Sequence, residues 1–293
     1  MADRAARPSG PGRAESRESA ELKALKEHHP ELGEAIDMHL ELLGMERRIR
    51  GRVPLPSFAL NAQVFAHHRA DGRPLLRFED IPLDPTDLRL AVRQTAEILR
   101  RFGALDEPEF QQALGLGREM ALPSLVAAWY RAIAERHEAA AVGRGSSTAP
   151  ALDGRFDQIF TLAMRPFLSR CAEVVQQRPE LAAWQHPHCA VCGGEPDFAT
   201  ITPAAERHLI CGRCGLRWKF EPLTCPYCRN SDRSQITSFA TPDGRYRVYA
   251  CDVCTRYLKA YDGRHAARPV MPVVDMVATL PLDAAAMQRG YTG

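Results

Sequence analysis

The sequence predicts an α+β multidomain chain: a helical N-terminal domain followed by two tandem β modules of the rubredoxin-like or zinc-ribbon type. Three observations carry this. Apolar residues recur at helical spacing as far as about Gln177 and then stop. Short apolar/polar alternations with a period of two take over after that point. Eight of the nine cysteines fall between Cys189 and Cys254, in four Cys-x-x-Cys pairs. The expected divisions are a disordered tail at 1–18, a helical domain at 19–177, a first four-cysteine ribbon at 178–222, and a second at 223–293 that also carries the C-terminal tail.

The N-terminal tail is rich in Arg, Ala and Ser but contains Asp3, Glu15 and Glu18. It has no apolar segment of the kind a secretory signal needs, and its acidic residues are wrong for a transit peptide. Pro30 separates a short first helix from a second over 31–50. The clearest helix follows Pro85, with Thr86 or Asp87 as its expected cap and Gly103 as its end. Leu88, Ala91, Val92, Leu99 and Phe102 form its apolar stripe. A further helix is expected around 124–138, then a loop at 143–154 rich in Gly, Ser and Pro. The next helix, 155–175, carries Phe156, Phe160, Ala163, Phe167, Cys171 and Val174 on one stripe. Pro166 is expected to kink or split it. Cys171 belongs to the stripe and is expected to be a buried apolar side chain, not a ligand.

Beyond Pro179 and Pro187 the pattern changes. Leu216, Trp218 and Phe220 alternate with Arg217 and Lys219, and Tyr246 and Val248 alternate with Arg245 and Arg247 just after the turn signal Pro242-Asp243-Gly244. A short closing helix is expected near Asp283.

The cysteine pairs are Cys189/Cys192, Cys211/Cys214, Cys225/Cys228 and Cys251/Cys254, separated by 18, 10 and 22 residues. The first and third intervals can each hold a β-hairpin and the middle one is a connector, so the first two pairs form one site and the last two another. Two thiolates two residues apart sit on one tight turn, and two such turns brought face to face complete a tetrahedron of sulfur. Gly193 and Gly215 follow the second cysteine of their turns, where a positive φ is often required; Arg229 and Thr255 hold the matching places in the second module. The segments CGRCGLRWKF and CDVCTRYLKAY read as a duplicated unit, a knuckle followed by an aromatic strand. Two metal ions per chain are therefore expected. Spacing does not separate zinc from rubredoxin-type iron, since both accept four sulfurs. His186, His188 and His208 lie close to the knuckles but are expected at the surface, because each site already has four cysteines.

The formal net charge is +2 and charged residues are 25% of the chain. From Cys189 to Asp262 there are ten Lys plus Arg and eight Asp plus Glu. Eight thiolates on two divalent metals bring that segment to about −2, which opposes phosphate binding. This counts against the alternative of a zinc-ribbon nucleic-acid-binding protein. No apolar run is long enough to span a bilayer. No catalytic serine motif, phosphate loop, zinc-protease helix or dinucleotide fingerprint occurs, so no catalytic residue is assigned. A thiol–disulfide oxidoreductase would need a βαβ context around its cysteines, and none is read here.

In its C-terminal hundred residues the chain resembles the formate dehydrogenase accessory protein FdhE family. The resemblance rests on the four pairs in order, on HPHCAVCGGEP opening the first module, on CDVCTRYLK closing the second, and on the tail VVDMVATLPLDAAAMQRGY. It implies a cytoplasmic, non-enzymatic factor needed for active formate dehydrogenase. It implies contact with the immature molybdenum- or tungsten-containing catalytic subunit before export, with homodimerisation left open. It makes iron the favoured metal and zinc the alternative, with all eight paired cysteines as ligands. A rubredoxin-like electron carrier is the remaining alternative. Trp218, Tyr227 and Tyr257 are candidate partner anchors, Tyr227 foremost because it lies between two ligands.

Overall fold

The computed structural model describes residues 15–57, 60–116, 122–141, 154–266 and 268–293. Its first half is helical: α1 (Arg17–His28), α2 (Gly33–Arg50), α3 (Ala62–Asp71), α4 (Pro85–Arg101), α5 (Glu107–Gly115), α6 (Leu122–Ala141) and α7 (Gly154–Gln176). Six strands follow: β1 (Pro196–Ile201), β2 (Arg207–Cys211), β3 (Arg217–Phe220), β4 (Ile236–Ala240), β5 (Tyr246–Cys251) and β6 (Arg256–Asp262). Two short helices close the chain, α8 (Pro272–Ala278) and α9 (Leu280–Gln288).

Several local expectations change. Helix α1 starts inside the expected tail, because the Ser16 side chain caps it by accepting from Ser19 N; residues 1–14 lie outside the described residues. The cap of α4 is Asp84, which accepts from Thr86 N and Asp87 N at 2.8 and 2.9 Å. Pro85 occupies the first helical position, where its missing N–H is not needed, so the capping side chain must precede it. Pro166 does not split α7, which runs through it as one helix. Met164, Phe167 and Leu168 beside it are fully buried, so packing offsets the lost backbone hydrogen bond. Apart from Gly154, the expected loop at 143–154 lies outside the described residues. The closing helix expected near Asp283 is α9, which starts earlier, at Leu280, and the unexpected α8 precedes it.

The two modules form one sheet of order β3-β2-β1-β6-β5-β4. Each contributes an antiparallel trio, and the trios join through a parallel pair, β1 with β6, from Phe198↔Lys259 to Ile201↔Asp262. The alternation of strand residues then serves two faces. Ala199, Ile201, Leu209, Trp218, Leu258 and Ala260 pack into the large core with α4, α6 and α7. Phe198, Ile210 and Tyr261 turn the other way, against residues of α8 and α9. The central strands are thus buried on both sides, as parallel pairing usually requires.

Helix α8 also packs on α1 and α2, through Met271, Val274 and Val277 against Leu22, Ile36 and Leu43. It is pinned by Asp275, whose fully buried side chain accepts from Tyr246 Oη at 2.8 Å, Arg268 Nη2 at 2.6 Å and Met271 N at 2.7 Å. Helical part, first ribbon and tail therefore share apolar packing.

Candidate metal centres

Each site is assembled from two knuckles with nearly the same backbone hydrogen bonding. In the first knuckle Cys189 N donates to Gly194 O and Gly193 N to Cys189 O, at 2.9 and 3.0 Å. In the second, Cys211 N donates to Leu216 O and Gly215 N to Cys211 O, both at 3.0 Å. In the third, Cys225 N donates to Asn230 O and Arg229 N to Cys225 O, at 2.8 and 3.0 Å. Val191 N and Arg213 N each approach a cysteine sulfur at 3.4 Å, which stabilises negative charge there. The residue after the second cysteine is left-handed in all four knuckles: φ is +70° at Gly193, +74° at Gly215, +62° at Arg229 and +55° at Thr255. The second module forms the same turn although neither residue is glycine.

The turns bring the thiols together as the spacing implies. Cys189, Cys192, Cys211 and Cys214 form one cluster and Cys225, Cys228, Cys251 and Cys254 the other, the sulfurs of each lying within 4.8 Å of one another. The closest approaches in the first are 3.4 Å (Cys189–Cys214) and 3.5 Å (Cys192–Cys211), and in the second 3.7 Å (Cys225–Cys254) and 3.6 Å (Cys228–Cys251). A disulfide would need about 2.05 Å. A tetrahedron with metal–sulfur bonds of about 2.3 Å has edges of roughly 3.8 Å. The clusters are thus close to the size of a four-sulfur metal site, and the chain could hold two metal ions. Cys171 lies elsewhere, fully buried in the helical core, where burial pushes its thiol up to about 12.

The two sites differ in surroundings. All four cysteines of the first are buried. Its first knuckle is clamped by the segment after α3: Leu75 N and Leu76 N donate to Ala190 O and Val191 O at 2.8 and 3.0 Å. His188 Nε2 bonds Gly72 O at 2.8 Å and His186 Nε2 bonds Arg69 O at 2.7 Å. His188 is therefore a buried clamp residue and not the expected surface residue; His186 and His208 are half-buried, and none of the three joins a sulfur cluster. Burial pushes the Cys189 and Cys214 thiols well up, whereas hydrogen bonds from the neighbouring thiols, Cys189 first, hold Cys192 well down. Four thiolates together in this buried space require a cation.

Arg213, inside the second knuckle, is a second sign of negative charge. It is 5% exposed, and its two terminal nitrogens have no hydrogen-bond partner. The guanidinium stacks 3.5 Å over the Trp129 ring. Burial pushes its pKa down, and the Cys192 and Cys211 sulfurs oppose that. A buried guanidinium whose terminal nitrogens meet no hydrogen-bonding carboxylate, and whose charge is opposed chiefly by cysteine sulfurs, fits a four-thiolate divalent site of net charge −2. Sequence reading missed Arg213; an arginine inside a Cys-x-x-Cys turn was the available signal.

The second site is open: Cys228 is exposed and Cys254 half-buried. Val253, within the last knuckle, is 59% exposed. The expected aromatic anchors are not free. Trp218 and Tyr257 are buried. Tyr227 is half-buried, its hydroxyl 3.1 Å from Pro196 O and 3.3 Å from Tyr257 O, with the Arg256 guanidinium 3.6 Å over its ring. Arg256 in turn pairs with Glu195 at 2.9 Å, so Tyr227, Arg256 and Glu195 form the polar seam between the two modules.

The crystal structure of the FdhE protein from Pseudomonas aeruginosa resembles this chain with a TM-score of 0.57 and 20% sequence identity, over 94% of this chain and 91% of that one. No family model matches the sequence, and no curated protein matches it. The chain has the α+β fold of that FdhE protein, a helical N-terminal part followed by a sheet with two four-cysteine clusters. No helix among the described residues is long and apolar enough to cross a membrane.

Proposed function

We propose that this chain is an FdhE-type accessory factor, required for formate dehydrogenase activity, that acts by binding the immature catalytic subunit in the cytoplasm. The observation that carries the reading is the likeness of fold over 94% of the chain, together with two four-cysteine clusters in the C-terminal sheet. The eight clustered cysteines are proposed as the ligands of two metal ions, with rubredoxin-type iron favoured over zinc. When bound, such a metal would lock the knuckles and, if iron, supply a one-electron couple. The protein's own residues supply the thiolates, the counter-charge at Arg213 and the clamp from the helical part. No catalytic role in formate turnover is assigned to any side chain. Nucleic acid is not proposed as a partner, for the charge reason given above. The segments 19–177, 178–222 and 223–293 are proposed as units of the chain that assemble on a shared core.

Deletion of the encoding gene tests this. Formate-dependent dye reduction is expected to be lost while the catalytic subunit is still made, and returning the gene is expected to restore activity. Untouched formate oxidation in the deletion strain, or formate oxidation by the purified protein alone, would overturn the reading. Metal analysis of an anaerobically purified sample separates iron, coloured when oxidised, from colourless zinc.

A further inference from the structure

A cavity of about 410 Å³ lies between α2, α7, the second knuckle at Gly212, and α8. That is the size of a small-molecule site. Its walls combine aliphatic side chains, Met276 of α8 among them, with five titratable groups: His39, Glu46, Asp157, Arg165 and Asp197. Asp157 is engaged by Trp129 Nε1 at 2.7 Å.

The other four line it with no direct ion pair among them. Burial works against the charge on Arg165, but Glu46, Asp197 and the Cys211 and Cys214 sulfurs together hold its pKa up, and it closes an ion pair with neither carboxylate. Asp197 Oδ1 is buried with no hydrogen-bond partner. Burial raises the Glu46 carboxyl and pushes Asp197 up to about 6. His39 Nδ1 bonds Ala35 O at 2.7 Å, so that nitrogen carries the proton. Burial pushes its pKa down, which favours the neutral ring with Nε2 as an acceptor.

Arg165 and the two carboxylates line one cavity with no direct ion pair between them, so each keeps hydrogen-bonding capacity that a ligand can take up. A simple anion would match Arg165 but meet two carboxylates. A simple cation would meet Arg165. A molecule carrying both charges a few bonds apart satisfies both ends, and the aliphatic wall can take an apolar substituent.

We propose that this cavity binds a small zwitterion of the α-amino-acid class, its carboxylate on Arg165 and its ammonium toward Glu46 and Asp197. The guanidinium fork matches a carboxylate in two parallel hydrogen bonds. Glu46, Asp197 and His39 Nε2 accept from the ammonium. The site is separate from the sulfur clusters but touches the second knuckle at Gly212, where Asp197 Oδ2 would lie 2.9 Å from an added Cβ.

The full-length, metal-loaded protein is titrated by calorimetry with each of the twenty protein amino acids, and with acetate and methylammonium as single-charge controls. At least one amino acid is expected to bind one per chain, and both controls to bind about tenfold or more weaker. Arg165→Gln and Glu46→Gln are each expected to weaken binding about tenfold or more with two metals per chain retained. If either variant loses metal, the methyl ester and the N-acetyl derivative of the bound amino acid replace it as the test, and each is expected to bind about tenfold or more weaker to the unaltered protein. Failure of all twenty to bind at millimolar concentration overturns the proposal. So does an acetate affinity equal to that of the best amino acid, or retained binding by well-folded variants or by both derivatives.

Discussion

Replacing Arg213 by methionine removes the buried charge beside the first sulfur cluster while keeping most of the side-chain volume. An ideal Cβ on Gly194 would lie 2.9 Å from both Arg213 Cδ and Cys211 Sγ, so the arginine stem runs close to that sulfur. A unit charge about 7 Å from a net −2 cluster, at an effective dielectric of about 20, is attracted by roughly 4–5 kcal/mol. In the metal-free protein burial favours the protonated form of Cys189 and Cys214, so much of that attraction is missing. The cation–π contact with Trp129 is common to both states and cancels. Arg213→Met is therefore expected to weaken metal binding at the first site by about 2–4 kcal/mol, roughly 30- to 1000-fold. Arg213→Lys should retain part of the affinity, since it keeps a charge but not the planar stack. The assay is competition against a chromogenic chelator in a background where Cys225 and Cys228 are both serine, so that only the first site reports. An unchanged dissociation constant for Arg213→Met would refute the counter-charge argument. Equal losses in the methionine and lysine variants would show that packing against Trp129, not charge, is what matters.

The remaining expectations concern the turns, the packing and the contrast between the sites. Arg229→Gly should raise the denaturation midpoint of the metal-loaded protein by the equivalent of about 1 kcal/mol, because φ there is +62°; Gly215→Ala should lower it by a similar amount, and a fall in the first or a rise in the second in urea titrations would contradict the left-handed knuckle. Cys171→Ala should leave two metals per chain by elemental analysis, and a fall to one would put Cys171 in a site. The second site, with Cys228 exposed, should surrender its metal first under chelator challenge; loss from the first site first, followed through single-site variants, would contradict the burial argument. Asp275→Ala removes the carboxylate partner of Tyr246 and the closest partner of Arg268 at the base of α8 and should cost about 3–5 kcal/mol in urea unfolding. A cost below about 1 kcal/mol would mean that α8 is held by apolar packing alone.

The contrast between the two sulfur clusters bears on how the protein could work. The first is enclosed by the segment after α3 and by Trp129, so whatever it binds is held as part of the core. The second presents Cys228 and Val253 at the surface, where a partner or a reductant can reach it. The seam of Tyr227, Arg256 and Glu195 ties one knuckle region to the other.

What the sequence by itself determined is what short-range spacing controls. Two cysteines three positions apart close one turn whatever surrounds them, so four pairs at hairpin intervals specified two sulfur clusters and their membership. The stripe through Phe160, Phe167 and Cys171 likewise specified a helix face bound for the core, since an apolar stripe at helical period is a local property of the chain. The tertiary structure decided how the modules join, because the parallel pairing of β1 with β6 links residues about sixty positions apart and leaves no local signature. It also decided which side chains have partners. Tyr227 reads as an exposed knuckle-tip aromatic until Pro196 and Arg256 are brought against it. Arg213 and Arg165 read as ordinary surface charges until folding buries one beside the thiols and sets the other in a cavity. Whether a charge is solvated, paired or stranded depends on groups distant in sequence, and only the folded chain brings those groups together.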